Sequence, residues 1–451
     1  MHSFFLYRNY KAQEFLVNTE NLPNVTYYGM LVNYAGLLPV SGSSDPKDKL
    51  FFWYFEAEEW SNNLIFWFAG GPGCATTFNV FTEHGPFARY NYKTKKFVNN
   101  PHSWHHDAHV VYIDQPFGVG FSRYPGQTRV ENENQVGDYF YKFLINFFKV
   151  FPQLQAKGIY LGGESYTGFY VPYIAKSILD HSENSPSFDL EGILINDPLI
   201  DHYWRQIPSS SLAYFTEQNL LNSTTQVKLQ QQYNKCLSFY QSKKSSEATG
   251  TDYFNSWASP GECDIQNIGY SSIRETTNPC FLEFDIRDNC QTHPPPQQLF
   301  NLQPINYTEY FRDPRVRAAL HVPEEVSPWE ICVSDVLVTD PSLVAVNILP
   351  YINERGVKIL IWTGDKDALI NHIGVEWSIG NLTWAGATGF LKNNIQPICN
   401  AKNQVVGKLR TERNLTYILI NNAGHFLTAD QQEVSRLVLR NVVFGDPAIT
   451  R

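Results

Sequence analysis

The chain of 451 residues lacks the features that mark membrane proteins, zinc ribbons and nucleic-acid-binding proteins. No apolar run approaches the ~18 residues that a membrane-crossing helix needs. None of the seven cysteines forms a Cys-x-x-Cys pair, which argues against a zinc ribbon or a thioredoxin-like site. The net charge of -9 disfavours nucleic acid and anionic membranes as partners, since both require a basic surface. No internal repeat and no low-complexity tail is present in the sequence.

Cysteines and glycosylation sequons favour an oxidising compartment. Four cysteines fall within one polar stretch, a pattern typical of local disulfide stapling with three possible pairings: Cys236, Cys263, Cys280 and Cys290. Five Asn-x-Ser/Thr sequons occur, at Asn24, Asn222, Asn306, Asn381 and Asn414. We expect a secreted or vacuolar protein. The first fifteen residues contain an apolar core of only three residues, shorter than the about 7–15 of a signal peptide, so either a signal has been removed or the start is misassigned.

Short apolar runs that alternate with helical patterns predict the fold class. The runs are rich in β-branched and aromatic residues and most end in Gly, Asp or Asn, as buried strands do. They lie at 51–55, 64–68, 110–113, 159–161, 193–195, 357–362 and 417–420. Helical patterns occur at 136–151, 169–179 and 433–443. The alternation predicts an α/β fold with a mostly parallel central sheet flanked by helices.

The middle of the chain differs in composition and predicts an insertion. From about 201 to 314 it is rich in Gln, Ser, Asn and Tyr, and it offers no convincing buried strand. We expect a partly helical cap, stapled by disulfides, over the carboxyl ends of the strands. The predicted organisation is a first core part at 1–200, a cap at 201–314 and a second core part at 315–451.

The strongest chemical signal is a serine between a predicted strand and a predicted helix. Ser165 follows the strand at 159–161 within the run YLGGESYTG. Small residues around such a serine permit the strained turn that exposes its hydroxyl, which is the context of a nucleophile elbow. Thr167 stands where the strict G-x-S-x-G pattern has its second glycine. The alternative interpretation is a serine that only caps the helix.

A serine nucleophile needs a base and an orienting carboxylate, and both follow in the order that α/β hydrolases use. The strand at 357–362 is followed by Asp365 and Asp367, and the strand at 417–420 is followed by His425. Ligands bind past the carboxyl ends of strands in open α/β sheets, which is where all these residues lie. The sequence therefore predicts a Ser–Asp–His triad, with the choice between the two aspartates open.

Six ordered segments resemble the conserved blocks of the serine carboxypeptidase family, within the α/β hydrolases. The similarity extends from about Tyr28 to Arg440 and fades only in the insertion. The segments are 67–74 (WFAGGPGC), 83–87 (EHGPF), 114–122 (DQPFGVGFS), 163–166 (GESY), 364–367 (GDKD) and 423–425 (AGH). The resemblance implies a fungal-type carboxypeptidase that needs no cofactor and no metal. Its expected partners are peptides or proteins with a free C-terminus.

The resemblance also implies residue roles. Ser165 is the nucleophile, His425 the general base and then general acid, and Asp367 the residue that orients the imidazole. Backbone N–H groups of Gly71 and Tyr166 form the oxyanion hole, which agrees with the chemical requirement for donors after the serine and in an early glycine-rich loop. A disulfide between Cys74 and Cys332 ties this loop to the core, and Cys399 is left over.

A carboxypeptidase must bind the terminal carboxylate of its substrate. By resemblance, Glu83, Glu164 and Gly70 do this here. Two adjacent buried carboxyl groups cannot both ionise, so one keeps a proton that it donates to the substrate anion, which favours acidic pH. The family normally has Asn before its Gly-Gly-Pro-Gly run, and its amide also binds the carboxylate, whereas this chain has Ala69.

The loss of that amide is expected to cost about 1.5–3 kcal/mol unless another group replaces it. His84 is a candidate replacement if it faces the pocket. Ala69 also keeps two related activities open: transfer of the acyl group to an alcohol or amine, as in plant acyltransferases of the family, and hydrolysis of esters or amides. A secreted binding protein with an inactive hydrolase fold is a third alternative.

One histidine-rich stretch resembles a metal site but forms no strict ligand motif. It contains His102, His105, His106 and His109. We expect these residues to be structural and the protein to bind no metal.

Overall fold

A computed structural model describes residues 12–40, 42, 45, 47–181, 188–244, 263–290, 305–338, 343–392 and 394–445. The strands are β1 (Asn33–Pro39), β2 (Lys49–Phe55), β3 (Asn63–Phe68), β4 (Tyr90–Asn91), β5 (Lys96–Phe97), β6 (His109–Asp114), β7 (Gly158–Glu164), β8 (Leu190–Asn196), β9 (Lys358–Gly364), β10 (Thr383–Trp384), β11 (Ala387–Thr388), β12 (Gln396–Cys399), β13 (Val405–Glu412) and β14 (Leu415–Ile420).

The α-helices are α1 (Asn79–Thr82), α2 (Glu133–Val150), α3 (Thr167–Asp180), α4 (Tyr203–Gln206), α5 (Pro208–Glu217), α6 (Ser223–Lys244), α7 (Ile265–Thr276), α8 (Tyr307–Arg312), α9 (Pro314–Ala319), α10 (Leu349–Glu354), α11 (His372–Asn381), α12 (Leu427–Asp430) and α13 (Gln432–Val438). Short 3-10 turns cover Ala12–Phe15, Thr19–Asn21, Thr76–Phe78, Trp104–His106, Pro152–Leu154 and Ala345–Asn347, and a π-helical turn covers Leu439–Val443. Within the described residues, none of these helices has the length and apolar character needed to cross a membrane.

One large sheet organises the protein, and its strand order is β1-β2-β6-β3-β7-β8-β9-β14-β13-β12. The six strands from β6 to β14 in this order run parallel to one another. The strands at both edges pair antiparallel. The central strands are almost continuously buried because helices cover both faces of a parallel sheet. This arrangement confirms the predicted α/β-hydrolase fold.

Helix α2 shows how the chain forms the layers beside the sheet. Asn132 caps its first turn, with Oδ1 accepting a hydrogen bond of 3.1 Å from the N–H of Gln135. Phe140, Phe143 and Phe147 recur at three and four residues and are fully buried, so they form one apolar face. Their rings contact the phenylalanines of β2 and β3. The periodicity therefore places the helix against the sheet.

The insertion between β8 and β9 has a small core of its own. In its described part, the segment 201–314 is helical and adds no strand to the large sheet. Its buried apolar side chains cluster together with Ala368, which follows β9. The hydroxyl of Tyr270 donates to the carbonyl of Ala368 at 2.6 Å, so the insertion contacts the loop beyond the end of that strand. The exact boundaries of the cap remain a prediction.

Three disulfides link the described cysteines. Two staple the insertion, joining Cys236 to Cys263 and Cys280 to Cys290. The third joins Cys74 to Cys332, and Cys399 is an exposed free thiol. The sequence left three pairings of the four insertion cysteines open. In the structure each cysteine pairs with the next cysteine along the chain, Cys236 with Cys263 and Cys280 with Cys290.

Candidate active site

The turn that carries Ser165 is strained and tightly packed. Ser165 lies between β7 and α3 with a φ of 64°, in the left-handed region that side chains rarely adopt. Its N–H donates to the carbonyl of Asn196 at 3.0 Å, and its own carbonyl accepts from Leu199 at 3.1 Å. A Cβ at Gly163 would lie 2.4 Å from the carbonyl oxygen of Phe68, so only glycine fits there. The turn therefore holds the serine beyond the end of the strand, where its side chain remains partly exposed.

His425 and Asp367 are paired at the same edge of the sheet. The imidazole Nδ1 of His425 is 2.8 Å from Oδ2 of Asp367. Both side chains are buried, with exposed fractions of 2% and 0%. The other oxygen of Asp367 accepts hydrogen bonds from the N–H groups of Leu369 and Ile370, at 2.8 and 3.2 Å. These bonds fix the carboxylate, which in turn fixes the tautomer and orientation of the ring.

Asp365 occupies a different environment. Its carboxylate is 3.2 Å from the ammonium of Lys366, and Oδ1 accepts a long bond of 3.4 Å from the N–H of Ala423. Of the two aspartates that the sequence offered, it is Asp367 that contacts the imidazole.

A glycine-rich loop lies directly against the serine turn. A Cβ at Gly70 would lie 2.7 Å from both the Cβ of Ser165 and the backbone nitrogen of Tyr166. The next residue, Gly71, has a φ of 119° that favours glycine. The disulfide of Cys74 anchors the loop to the segment that contains Cys332. The loop, which carries Gly71, is thereby fixed close to the backbone N–H group of Tyr166, the other donor expected in the oxyanion hole.

Two buried carboxyl groups meet beside the serine. Glu83 follows α1 and Glu164 ends β7, and their exposed fractions are 0% and 4%. The Nδ2 of Asn79 donates to Oε1 of Glu83 and, at 3.2 Å, to Oε1 of Glu164. The hydroxyl of Thr428 donates to the second oxygen of Glu83 at 2.7 Å. Thr428 lies three residues after His425, so the segment that carries the imidazole also contacts Glu83.

Burial determines how this pair titrates. Desolvation raises the pKa of Glu83 from 4.5 to about 7, against the opposing effect of its hydrogen bonds. Desolvation, followed by the charge of Glu83, raises the pKa of Glu164 well above its ordinary value. The pair therefore retains its protons at acidic pH and can donate a hydrogen bond to an anion.

A cavity of about 220 Å³ connects these groups. Its polar lining includes Asn79, Glu164, Ser165 and His425, together with the backbone of the glycine loop. The remaining wall is mainly apolar and comes from Ala69, Ala75, Phe78, Phe284, Ile331, Leu369 and Phe426. The cavity thus offers a nucleophile, a base and the buried carboxyl group of Glu164 next to an apolar surface, as expected for a site that binds a small organic group.

Several residues of the cavity wall were not predicted from the sequence, among them Phe284 and Asn79. Phe284 comes from the insertion, and its ring lies 5.5 Å from that of His425. No pattern in the insertion indicates which aromatic residue folds over the site. Asn79 lies four residues before Glu83, and helical spacing was a signal that could have identified it.

His84 does not take the role suggested for it. Its ring stacks on Trp104 at a centroid distance of 3.8 Å, and Nδ1 is 2.9 Å from the hydroxyl of Tyr112. It is fully buried, and it is not part of the cavity wall. The polar side chain that the structure places on the wall near the two glutamates is that of Asn79.

The histidine-rich stretch forms a hydrogen-bonded cluster. Glu58, His105 and His106 place potential ligand atoms within 4.8 Å of one another. His106 contacts the carboxylate of Glu58 through Nδ1 and the carbonyl of Asn100 through Nε2. The ring of His105 contacts Ser103 and Tyr27, at 2.7 and 3.0 Å. Protein groups thus already contact every ring nitrogen of the two histidines, which supports a structural role.

Comparison with known proteins identifies the family. A family model described as serine carboxypeptidase matches residues 23–445. The chain belongs to the serine carboxypeptidase family. It is 32% identical to the pheromone-processing carboxypeptidase kex1 of Aspergillus oryzae, over 93% of this chain and 67% of that protein. It is 30% identical to the protein of the same name from Aspergillus terreus, over the same shares.

A solved structure agrees with this assignment. The prohormone-processing carboxypeptidase KEX1(delta)p of Saccharomyces cerevisiae superposes with a TM-score of 0.82 at 27% identity, covering 97% of this chain and 96% of that one. The chain described here is thus a serine-type carboxypeptidase with an α/β-hydrolase fold. The interpretation of the sequence as an inactive binding protein is not supported.

Proposed function

We propose that this carboxypeptidase releases C-terminal residues from peptides through a Ser165–His425–Asp367 acyl-enzyme mechanism that is favoured at acidic pH. The observation that carries the proposal is the buried pair of Glu83 and Glu164 beside the cavity that contains the serine. A serine hydrolase that acts on neutral esters does not need buried acids at this position. An enzyme that recognises a terminal carboxylate needs them as hydrogen-bond donors.

In the proposed mechanism the hydroxyl of Ser165 attacks the carbonyl carbon of the last peptide bond while His425 accepts its proton. Asp367 stabilises the imidazolium that forms. The N–H groups of Gly71 and Tyr166 stabilise the negative charge that develops on the carbonyl oxygen. His425 then protonates the leaving amine, and the C-terminal residue departs. Water attacks the acyl-enzyme by the same steps in reverse, with His425 again as base.

The terminal carboxylate of the substrate binds to the acid pair and to the backbone at Gly70. A free C-terminus is ionised above pH ~4, so it can accept a hydrogen bond from a protonated carboxyl group. As the pH rises through about 7, Glu83 loses its proton and the site becomes negatively charged. Repulsion between this charge and the substrate carboxylate then weakens binding. The acidic preference is therefore specific to substrates with a free C-terminus.

The same proposal includes a secreted or vacuolar location. All five sequon asparagines are exposed, as attachment of a glycan requires. The three disulfides are of a kind that persists in an oxidising compartment. Peptides and proteins with free C-termini are the proposed partners, and the mechanism requires no cofactor.

The test combines active-site labelling with product analysis. A fluorophosphonate should label the wild-type protein and should not label Ser165→Ala. An N-blocked dipeptide with a free C-terminus should be cleaved faster at pH 5 than the same dipeptide as its C-terminal amide. Because Ala69 removes a carboxylate-binding amide, two other outcomes have a physical basis. Equal rates on the two dipeptides would favour the ester or amide hydrolase. Acyl transfer to an added alcohol in preference to water would favour the acyltransferase.

A further inference from the structure

Asn79 occupies a central position among the acidic groups of the site. It is the first residue of α1, and one helical turn separates it from Glu83. Its side chain is 1% exposed and lines the same cavity as Ser165. Through Nδ2 it contacts the carboxyl groups of both Glu83 and Glu164. One amide thus bridges the two acids at the edge of the cavity.

The hydrogen bonding of this amide is incomplete. Its Oδ1 is buried and has no hydrogen-bond partner among the described residues. When the two glutamates carry protons, a half-turn of the amide lets Oδ1 accept from a carboxylic O–H. The same turn moves Nδ2 to the place of the unpartnered oxygen, where it has N–H groups to donate. Since Asn79 is one of the residues that line the cavity, an anion bound there is a suitable partner for such a donor.

We propose that Asn79 is a specificity-determining residue, which bridges Glu83 and Glu164 and donates an N–H group to the terminal carboxylate of the substrate. This inference rests on the proposed function and deepens it. It also explains how the site tolerates Ala69. Both residues line the cavity, so an amide that is absent from position 69 is supplied from position 79.

The test compares two substrates in four forms of the enzyme. The substrates are an N-blocked phenylalanyl-leucine dipeptide and its C-terminal amide, which share the scissile bond and differ only in the terminal charge. The measured quantity is the ratio of kcat/KM for the free acid to kcat/KM for the amide, at pH 5. The forms are wild type, Asn79→Ala, Ala69→Asn and the double variant Ala69→Asn/Asn79→Ala.

Loss of a hydrogen bond to a charged group predicts that Asn79→Ala lowers this ratio about 10- to 100-fold. The reduction should arise for the free acid, with the amide substrate much less affected. Addition of Ala69→Asn should restore most of the ratio, because position 69 also lines the cavity and an amide returns to its wall. Ala69→Asn alone should change the ratio much less than it does in the double variant.

Asn146→Ala is a matched control. Asn146 is also buried and also donates a hydrogen bond, of 2.7 Å to the carbonyl of Pro39, but it lies on α2 and is not in the cavity wall. Its substitution should lower stability and leave the substrate ratio unchanged. A change in ratio specific to Asn79 therefore reports on recognition and not on a general loss of stability.

The proposal is overturned if Asn79→Ala labels with fluorophosphonate as wild type does and keeps the wild-type ratio. If Asn79→Ala does not fold, Ala69→Asn on the intact enzyme decides. A rise of about tenfold or more in the ratio would show that the wild-type site lacked an amide, and little change supports the proposal. A wild-type ratio near one is a distinct result, since it overturns the proposed recognition of free C-termini itself.

Discussion

The double substitution Glu83→Gln/Glu164→Gln removes the titration of the acid pair while keeping its size and its ability to donate hydrogen bonds. The pKa of Glu83 is raised from 4.5 to about 7 by burial. This shift corresponds to about 3 kcal/mol of preference for the neutral form. In the wild-type enzyme the preference for free over amidated C-termini should therefore be constant at acidic pH. It should fall up to about tenfold for each pH unit above 7. In the double variant the preference should not change across this range.

The assay is kcat/KM for the free dipeptide and for its amide from pH 5 to 9. Both substrates need His425 in the same protonation state. The effect of its titration on kcat/KM therefore cancels in the ratio of the two values. A wild-type ratio that is independent of pH would refute the reasoning. So would a double variant that retains the wild-type decline, because the decline would then arise from another group.

The same pair should affect stability, with a defined sign. The pKa of Glu83 is higher in the folded state than in the unfolded state. Between pH 4.5 and about 7 the folded state therefore holds a proton that the unfolded state has already released. Its contribution is fully present below pH 4.5 and is lost as the pH rises to about 7. Chemical unfolding should show the wild type losing at least about 3 kcal/mol relative to the double variant over this interval, because Glu164, whose pKa is also raised, adds to the loss from Glu83.

The remaining predictions concern the triad and the glycine loop. Ser165→Ala should fold normally and lose several orders of magnitude in kcat, since triad residues act as a unit; near-normal turnover in a folded variant would contradict the assignment. Asp367→Asn should be much more damaging than Asp365→Asn, because only Asp367 contacts the imidazole; the reverse order in kcat would show that the other aspartate orients the ring. Peptide mapping without reduction should recover Cys74 joined to Cys332, and finding both as free thiols would contradict the oxidising location.

The centre of the fold was predictable because its strands are buried on both faces. Such strands appear as short apolar runs, and all seven predicted runs are strands of the large sheet. The edge strands β1, β12 and β13 were not predicted. The two at the far edge, β12 and β13, are largely exposed, so their residues follow no clear apolar pattern. The three helical patterns that the sequence indicated, at 136–151, 169–179 and 433–443, agree with α2, α3 and α13 with its following π-helical turn to within a few residues, because their apolar faces repeat at helical spacing.

The site was predictable only where chemistry restricts the residue type. A nucleophile, a base and glycines that must accept close backbone contacts leave recognisable motifs. Phe284 leaves none, because an aromatic ring reaches the cavity through packing that many sequences could provide, and Asn79 leaves only its helical spacing from Glu83. Ala69 marked a missing donor, but the sequence could not show which neighbour replaces it. His84 was the candidate because it is adjacent to Glu83 in the chain, but its ring stacks on Trp104 and is not part of the cavity wall.

The strand order has a consequence for when the protein can first cut a peptide. Ser165 follows β7, whereas Asp367 and His425 follow β9 and β14, and the parallel pairing of β8 with β9 joins these halves across the whole insertion. Contacts between such distant parts of a chain form late and slowly in folding. Under the proposed mechanism, Ser165 therefore lacks its base as long as the second half of the sheet has not formed. Partly folded chains, in which β9 and β14 have not yet joined the sheet, are then expected to lack peptidase activity.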